Sequence, residues 1–132
     1  MKNALASTEP LPAPKTLAAE NPVVLGNQDA RGVVTLRLNR PQAFNALSEA
    51  MLVTLQREFD AIAADESVRV VVLTAEGRAF CAGHDLKEMR AEPSMEYYER
   101  LFAQCSNLML TILDKAGVPM DQFGESWGSV DL

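Results

Sequence analysis

A chain of 132 residues, 48% hydrophobic and 23% charged, has the size and composition of one ordinary globular domain. Collagen-like, disulfide-scaffold and charge-driven disordered classes are excluded on those numbers. Twelve Lys plus Arg against eighteen Asp plus Glu leave a net charge of −6, the wrong sign for a surface that neutralises nucleic-acid phosphates, so no nucleic-acid partner is expected.

The first thirty residues carry Pro10, Pro12, Pro14 and Pro22 and show no helical or strand periodicity until Val23. A flexible leader over 1–30 is the expectation. From Gly32 to Asn39, Val34, Leu36 and Leu38 alternate with Val33, Thr35 and Arg37, the pattern of a half-buried strand that Arg40-Pro41 ends. Ser48 reads as a helix N-cap with Glu49 in the first turn, and Leu52, Leu55, Phe59 and Ile62 follow at helical spacing to about Ala64.

Val68 to Thr74 is nearly continuously β-branched, which predicts a strand covered on both faces, as in a parallel sheet. A loop with Gly77 and Gly83 then leads into a short polar helix, Leu86 to Arg90. Pro93-Ser94 opens a longer helix whose apolar stripe is Tyr98, Leu101, Phe102, Cys105, Leu108, Met109 and Ile112. Residues 31–113 are thus the folded part, and 114–132 is expected to be an irregular tail.

Cys81 and Cys105 are too few for a disulfide framework and read as reduced thiols. No stretch reaches the roughly 18 apolar residues of a membrane span, and the N-terminus lacks a secretory pattern. No membrane association and a cytoplasmic location are expected.

Phosphate-loop, dinucleotide and nucleophile-elbow motifs are absent. His84 is the only histidine, which excludes a multi-histidine metal site. What remains is a backbone argument. Gly83 frees the chain for close approach, and the N–H groups of His84 and Asp85 are expected to stand unpaired before the short helix. Such donors bind a phosphate or stabilise an oxyanion. The plainer alternative is that Gly83 makes a tight turn and Asp85 caps the helix.

Two segments sharpen this choice. Leu38-Asn39-Arg40-Pro41-Gln42-Ala43-Phe44-Asn45-Ala46-Leu47-Ser48, then Gly77-Arg78-Ala79-Phe80-Cys81-Ala82-Gly83-His84-Asp85-Leu86-Lys87-Glu88-Met89, resemble the enoyl-CoA hydratase/isomerase (crotonase) family in order, spacing and context. The resemblance covers about Val33 to Ile112. It implies an α/β fold, a partial crotonase-like ββα spiral with a parallel sheet, truncated to the N-terminal part of the domain. It implies an acyl-CoA thioester as ligand, with coenzyme A entering as part of the substrate and no separate cofactor.

Carried over residue by residue, the resemblance makes the His84 backbone N–H the first oxyanion donor, its side chain incidental. Ala82, Gly83, His84, Asp85 and Leu86 would border the ligand. Ala43, Phe44 and Asn45 would line the coenzyme A side, and Lys87 or Arg40 would meet phosphate charge.

In hydratases of the family, the second oxyanion N–H and two glutamates that handle water and proton come from later turns of the spiral. After Ile112 this sequence departs from that pattern, and Glu125 is the only glutamate in its tail. The expectation is therefore a truncated, catalytically incomplete member of a family of homo-oligomers, lacking the region that assembles them. A non-catalytic CoA-binding or interaction module and a non-functional fragment are the alternatives.

Overall fold

The computed structural model describes residues 21–123. Three strands and three helices follow in chain order: β1 Val24–Gln28, β2 Val33–Leu38, α1 Glu49–Ala63, β3 Val70–Ala75, α2 Leu86–Ala91 and α3 Met95–Lys115. A one-turn 3-10 helix, Pro41–Ala43, lies between β2 and α1.

Strand β1 falls inside the stretch expected to be leader, which corrects that boundary; residues 1–20 lie outside the described residues. Only Val24 of β1 is buried, so the segment lacks the alternation that would have revealed it. It is held instead by antiparallel pairing with β2, from Val24 opposite Leu38 to Gln28 opposite Val34. The hairpin turns on Asp29, whose carboxylate accepts the Arg31 and Val33 N–H groups at 2.9 and 3.1 Å, and on Gly32 at φ +81°.

Strand β2 is central and pairs parallel with β3, Leu36 opposite Leu73, so the sheet is mixed rather than wholly parallel. Its Val34, Leu36 and Leu38 face a core completed by Met51, Leu52, Leu55 and Phe59 of α1. Tyr97, Leu101 and Leu108 of α3 join the same core. Ser48 caps α1 through the Met51 N–H and Ser94 caps α3 through the Tyr97 N–H, as their positions predict.

Two expectations about apolar faces are corrected. Val71 and Leu73 pack on the core, but Val70 and Val72 are 51% and 39% exposed, so β3 is covered on one face only among the described residues. In α3, the expected stripe packs on the core except at Phe102, which is exposed, and Tyr97, outside that stripe, is buried with it. Helix α3 also continues past Asp114, where the irregular tail was expected to start. Residues 117–123 carry no helix or strand, and Glu125 lies outside the described residues. Among those described, no helix is long and apolar enough to cross a membrane.

Candidate active site

The site is built where the loop after β2 meets the loop after β3, and one buried side chain makes the junction. Asn45 is fully buried, and its Nδ2 donates to the carbonyls of Glu76 and Ala79, both at 2.8 Å. Its Oδ1 accepts the Arg40 N–H at 2.8 Å, while its own N–H donates to the Arg40 carbonyl at 2.9 Å. Phe44 and Asn45 hold left-handed φ values of 51° and 53°, a region asparagine tolerates better than most side chains. A buried amide with these partners braces two loops. Asn45, expected to line the coenzyme A side, thus spends its side chain on Arg40, Glu76 and Ala79.

From that junction the two segments run side by side. The Ala82 N–H donates to the Phe44 carbonyl at 3.0 Å, the Leu47 N–H to the Gly83 carbonyl at 2.7 Å, and the Asp85 N–H to the Leu47 carbonyl at 3.2 Å. Leu47 and His84 form a parallel bridge. In a parallel bridge the bonded groups belong to the residues before and after the paired one, so His84 turns its own N–H to the opposite side. That N–H has no acceptor among the described residues. Asp85, expected to offer a second free N–H, spends it on Leu47.

Asp85 is the N-cap of α2: one carboxylate oxygen accepts the Lys87 and Glu88 N–H groups, each at 3.1 Å. The other accepts Arg40 Nη2 at 3.0 Å, and Arg40 Nη1 donates to the Ala46 carbonyl at 3.0 Å. These side chains are only 14% and 21% exposed. The Glu88 N–H above all, with the Arg40 guanidinium, holds the Asp85 carboxyl below the usual carboxylate range. Arg40 is therefore an internal partner and is not free to meet a phosphate, whereas Lys87 is exposed and forms no ion pair among the described residues.

The His84 ring packs edge-on against Phe102 at 5.1 Å, with Nδ1 buried and without a partner. Burial pushes its pKa down, so the ring is neutral near pH 7. Around the free N–H the surface is open and apolar. Phe44 and Leu86 are 52% and 64% exposed, Ala82 is exposed, and Ala43 is half-buried. Gly83 stands at φ +91° with nothing within 4 Å of where a Cβ would point.

The family profile described as Enoyl-CoA hydratase/isomerase matches residues 33–116, the whole span from β2 to the end of α3. The chain belongs to this family. Among curated relatives, it is 39% identical over 93 residues to the mitochondrial enoyl-CoA hydratase domain-containing protein 3 of Xenopus laevis, covering 70% of this chain and 31% of that protein. It is 51% identical over 57 residues to the 2,3-dehydroadipyl-CoA hydratase of Escherichia coli, covering 43% and 22%.

A solved enoyl-CoA hydratase from Mycobacterium smegmatis superposes with a TM-score of 0.68 at 70% identity, over 69% of this chain and 35% of that one. An enoyl-CoA hydratase from Bacillus anthracis gives 0.64 at 35% identity, over 68% and 35%. The chain thus carries a crotonase-like α/β fold and its matches span between 22% and 35% of the length of these relatives. Both segments that carried the resemblance lie inside the matched region. Among the described residues no three His, Cys, Asp or Glu side chains gather as a metal site.

Proposed function

We propose that the chain binds an acyl-CoA thioester whose carbonyl oxygen accepts the His84 backbone N–H, as the first donor of an oxyanion hole. The observation that carries this reading is the His84 N–H itself, fixed by the Leu47 bridge, turned away from it and left without an acceptor among the described residues. A preorganised donor of this kind commonly contributes about a hundred- to a thousandfold in rate when charge develops on a carbonyl oxygen. Phe44, Ala82 and Leu86 supply apolar surface beside it, and Lys87 supplies an unpaired cation for phosphate charge.

The reaction that goes with such a site in this family is reversible addition of water to a 2-enoyl-CoA. Protonation and water activation need positioned carboxylic groups, each commonly contributing about another hundred- to ten-thousandfold. Asp85 and Glu88, the carboxylates nearest His84 in sequence, are both committed to backbone N–H groups. We therefore propose that this 132-residue chain binds enoyl-CoA without hydrating it.

Calorimetric titration of the pure chain with crotonyl-CoA, alongside loss of its enoyl absorbance, tests both parts. Saturable binding with no hydration above the buffer rate is the expected result. Hydration above buffer would refute the second part, and no binding at millimolar ligand would refute the first. A coenzyme A-binding module that ignores the acyl group is the second reading, favoured by the unpaired Lys87. It requires free coenzyme A to bind as tightly as crotonyl-CoA.

A further inference from the structure

The Leu47–His84 bridge does not end at its two backbone hydrogen bonds. Two residues beyond Leu47, the N–H of Glu49 at the start of α1 donates to Glu88 Oε1 at 2.7 Å. The same oxygen accepts the Tyr97 hydroxyl at 3.0 Å. Leu47–Glu49 and Gly83–Glu88 are thus joined at three levels: Leu47 N–H to Gly83, Asp85 N–H to Leu47, and Glu49 N–H to the Glu88 side chain. The third level is the one that reaches α3, because Tyr97 belongs to it and is almost wholly buried.

We propose that Glu88 and Tyr97 form a positioning pair, which extends the bridge by a side-chain rung, locks that rung to α3 and so fixes where the His84 N–H points. The segment that carries His84 has little cover of its own: Ala82 and Leu86 are exposed and α2 buries no residue. A carboxylate accepting two hydrogen bonds at one oxygen has the strength that such a lightly packed segment needs, since charged hydrogen bonds are about twice as strong as neutral ones. A buried Tyr hydroxyl also requires an acceptor, so the ring cannot keep its place in the core while abandoning Glu88 at no cost. The importance of the pair for a ligand rests on the function proposed above; its effect on the backbone does not.

Amide hydrogen exchange on the full chain without ligand tests the pair. Tyr97→Phe keeps the buried ring and removes only the donor. The expected result is that the Leu47 and Asp85 amides lose protection by about tenfold while the Leu36 amide, in the centre of the sheet, stays within about twofold. Glu88→Ala should reproduce or exceed that loss, and Glu88→Gln, which keeps an acceptor oxygen, should restore most of it. Equal loss at Leu36 would mean a purely global stability effect and would overturn the proposal, as would unchanged exchange at Leu47 and Asp85.

Titration of the same variants with crotonyl-CoA separates the two readings. If the wild-type chain shows no binding while the exchange pattern holds, the ligand reading fails and the positioning pair stands. If the wild-type chain binds and Tyr97→Phe leaves exchange unchanged, the pair alone fails.

Discussion

Arg40 Nη2 and Asp85 Oδ2 lie 3.0 Å apart across 45 positions of sequence, joining the segment after β2 to the segment before α2. Each partner has a second duty: Arg40 holds the Ala46 carbonyl, and Asp85 holds two N–H groups of α2. Removing either one leaves the other's charge poorly solvated with its remaining bonds unsupported. Arg40→Met and Asp85→Ala should each lower unfolding free energy by about 2 kcal/mol, and the double variant by less than the sum. Urea denaturation of the three variants measures this.

Stability should hold a plateau between about pH 6.5 and 9 and fall on both sides, the alkaline loss beginning with Cys105, whose thiol pKa burial raises from 9.0. His84 has its pKa lowered from 6.5 by burial, so its contribution is complete above 6.5 and fades as pH falls toward the lower folded value. Asp85, lowered from 3.8, adds a second loss below that pH. Tyr97 is raised from 10.0 to about 12, first by burial and then by the Glu88 carboxylate, so its contribution is complete below pH 10 and lost as pH rises through 12. Denaturation midpoints against pH should show His84→Gln flattening the shoulder just below 6.5 and Tyr97→Phe flattening the alkaline limb above pH 10.

Glycines with positive φ should differ according to what a side chain would strike. At Gly32 a Cβ would stand 2.2 Å from the Ser67 carbonyl oxygen, a backbone atom that cannot move aside alone. At Gly83 it would meet nothing within 4 Å, leaving only the conformational cost. Gly83→Ala should cost about 1–2 kcal/mol and Gly32→Ala clearly more, to the point of preventing folding. Thermal unfolding of the pair orders them, and an equal loss in both would contradict the stated clash.

The outward face of β3 gives a prediction about solubility. Val70 and Val72 stand half-exposed on an edge strand, a combination that favours association between chains. Replacing both with Thr should change unfolding free energy by less than about 1 kcal/mol and lower light scattering on concentration. Unchanged scattering would show that association, if present, uses another surface.

Much of this arrangement was legible from the chain. The alternation of Val34, Leu36 and Leu38, the spacing of Leu52, Leu55 and Phe59, and the caps Ser48 and Ser94 each reflect a local rule, and local rules survive folding. Strand β1 was hidden because four of its five residues are exposed and pairing with β2, not burial, defines it. At the site, the His84 N–H, unpaired among the described residues, was legible from Gly83 before a helix start, while its reading as an oxyanion donor came from the family resemblance. The bracing side chains were not: Asn45 acts on Glu76 and Ala79, and Glu88 on Glu49 and Tyr97, partners that lie 31 and 34 and then 39 and 9 residues away. No periodicity encodes such pairings, and even the Asp85 N–H, free by local reasoning, was claimed by Leu47.

The His84 backbone N–H has its own nuclear magnetic resonance signal. Titrating isotope-labelled chain with crotonyl-CoA should move the His84 amide proton downfield in a saturable way, with the Leu36 amide unmoved. Free coenzyme A should leave the His84 amide shift largely unchanged, because it brings no thioester carbonyl. A His84 amide that stays in place while other residues report saturable crotonyl-CoA binding would contradict the proposed site.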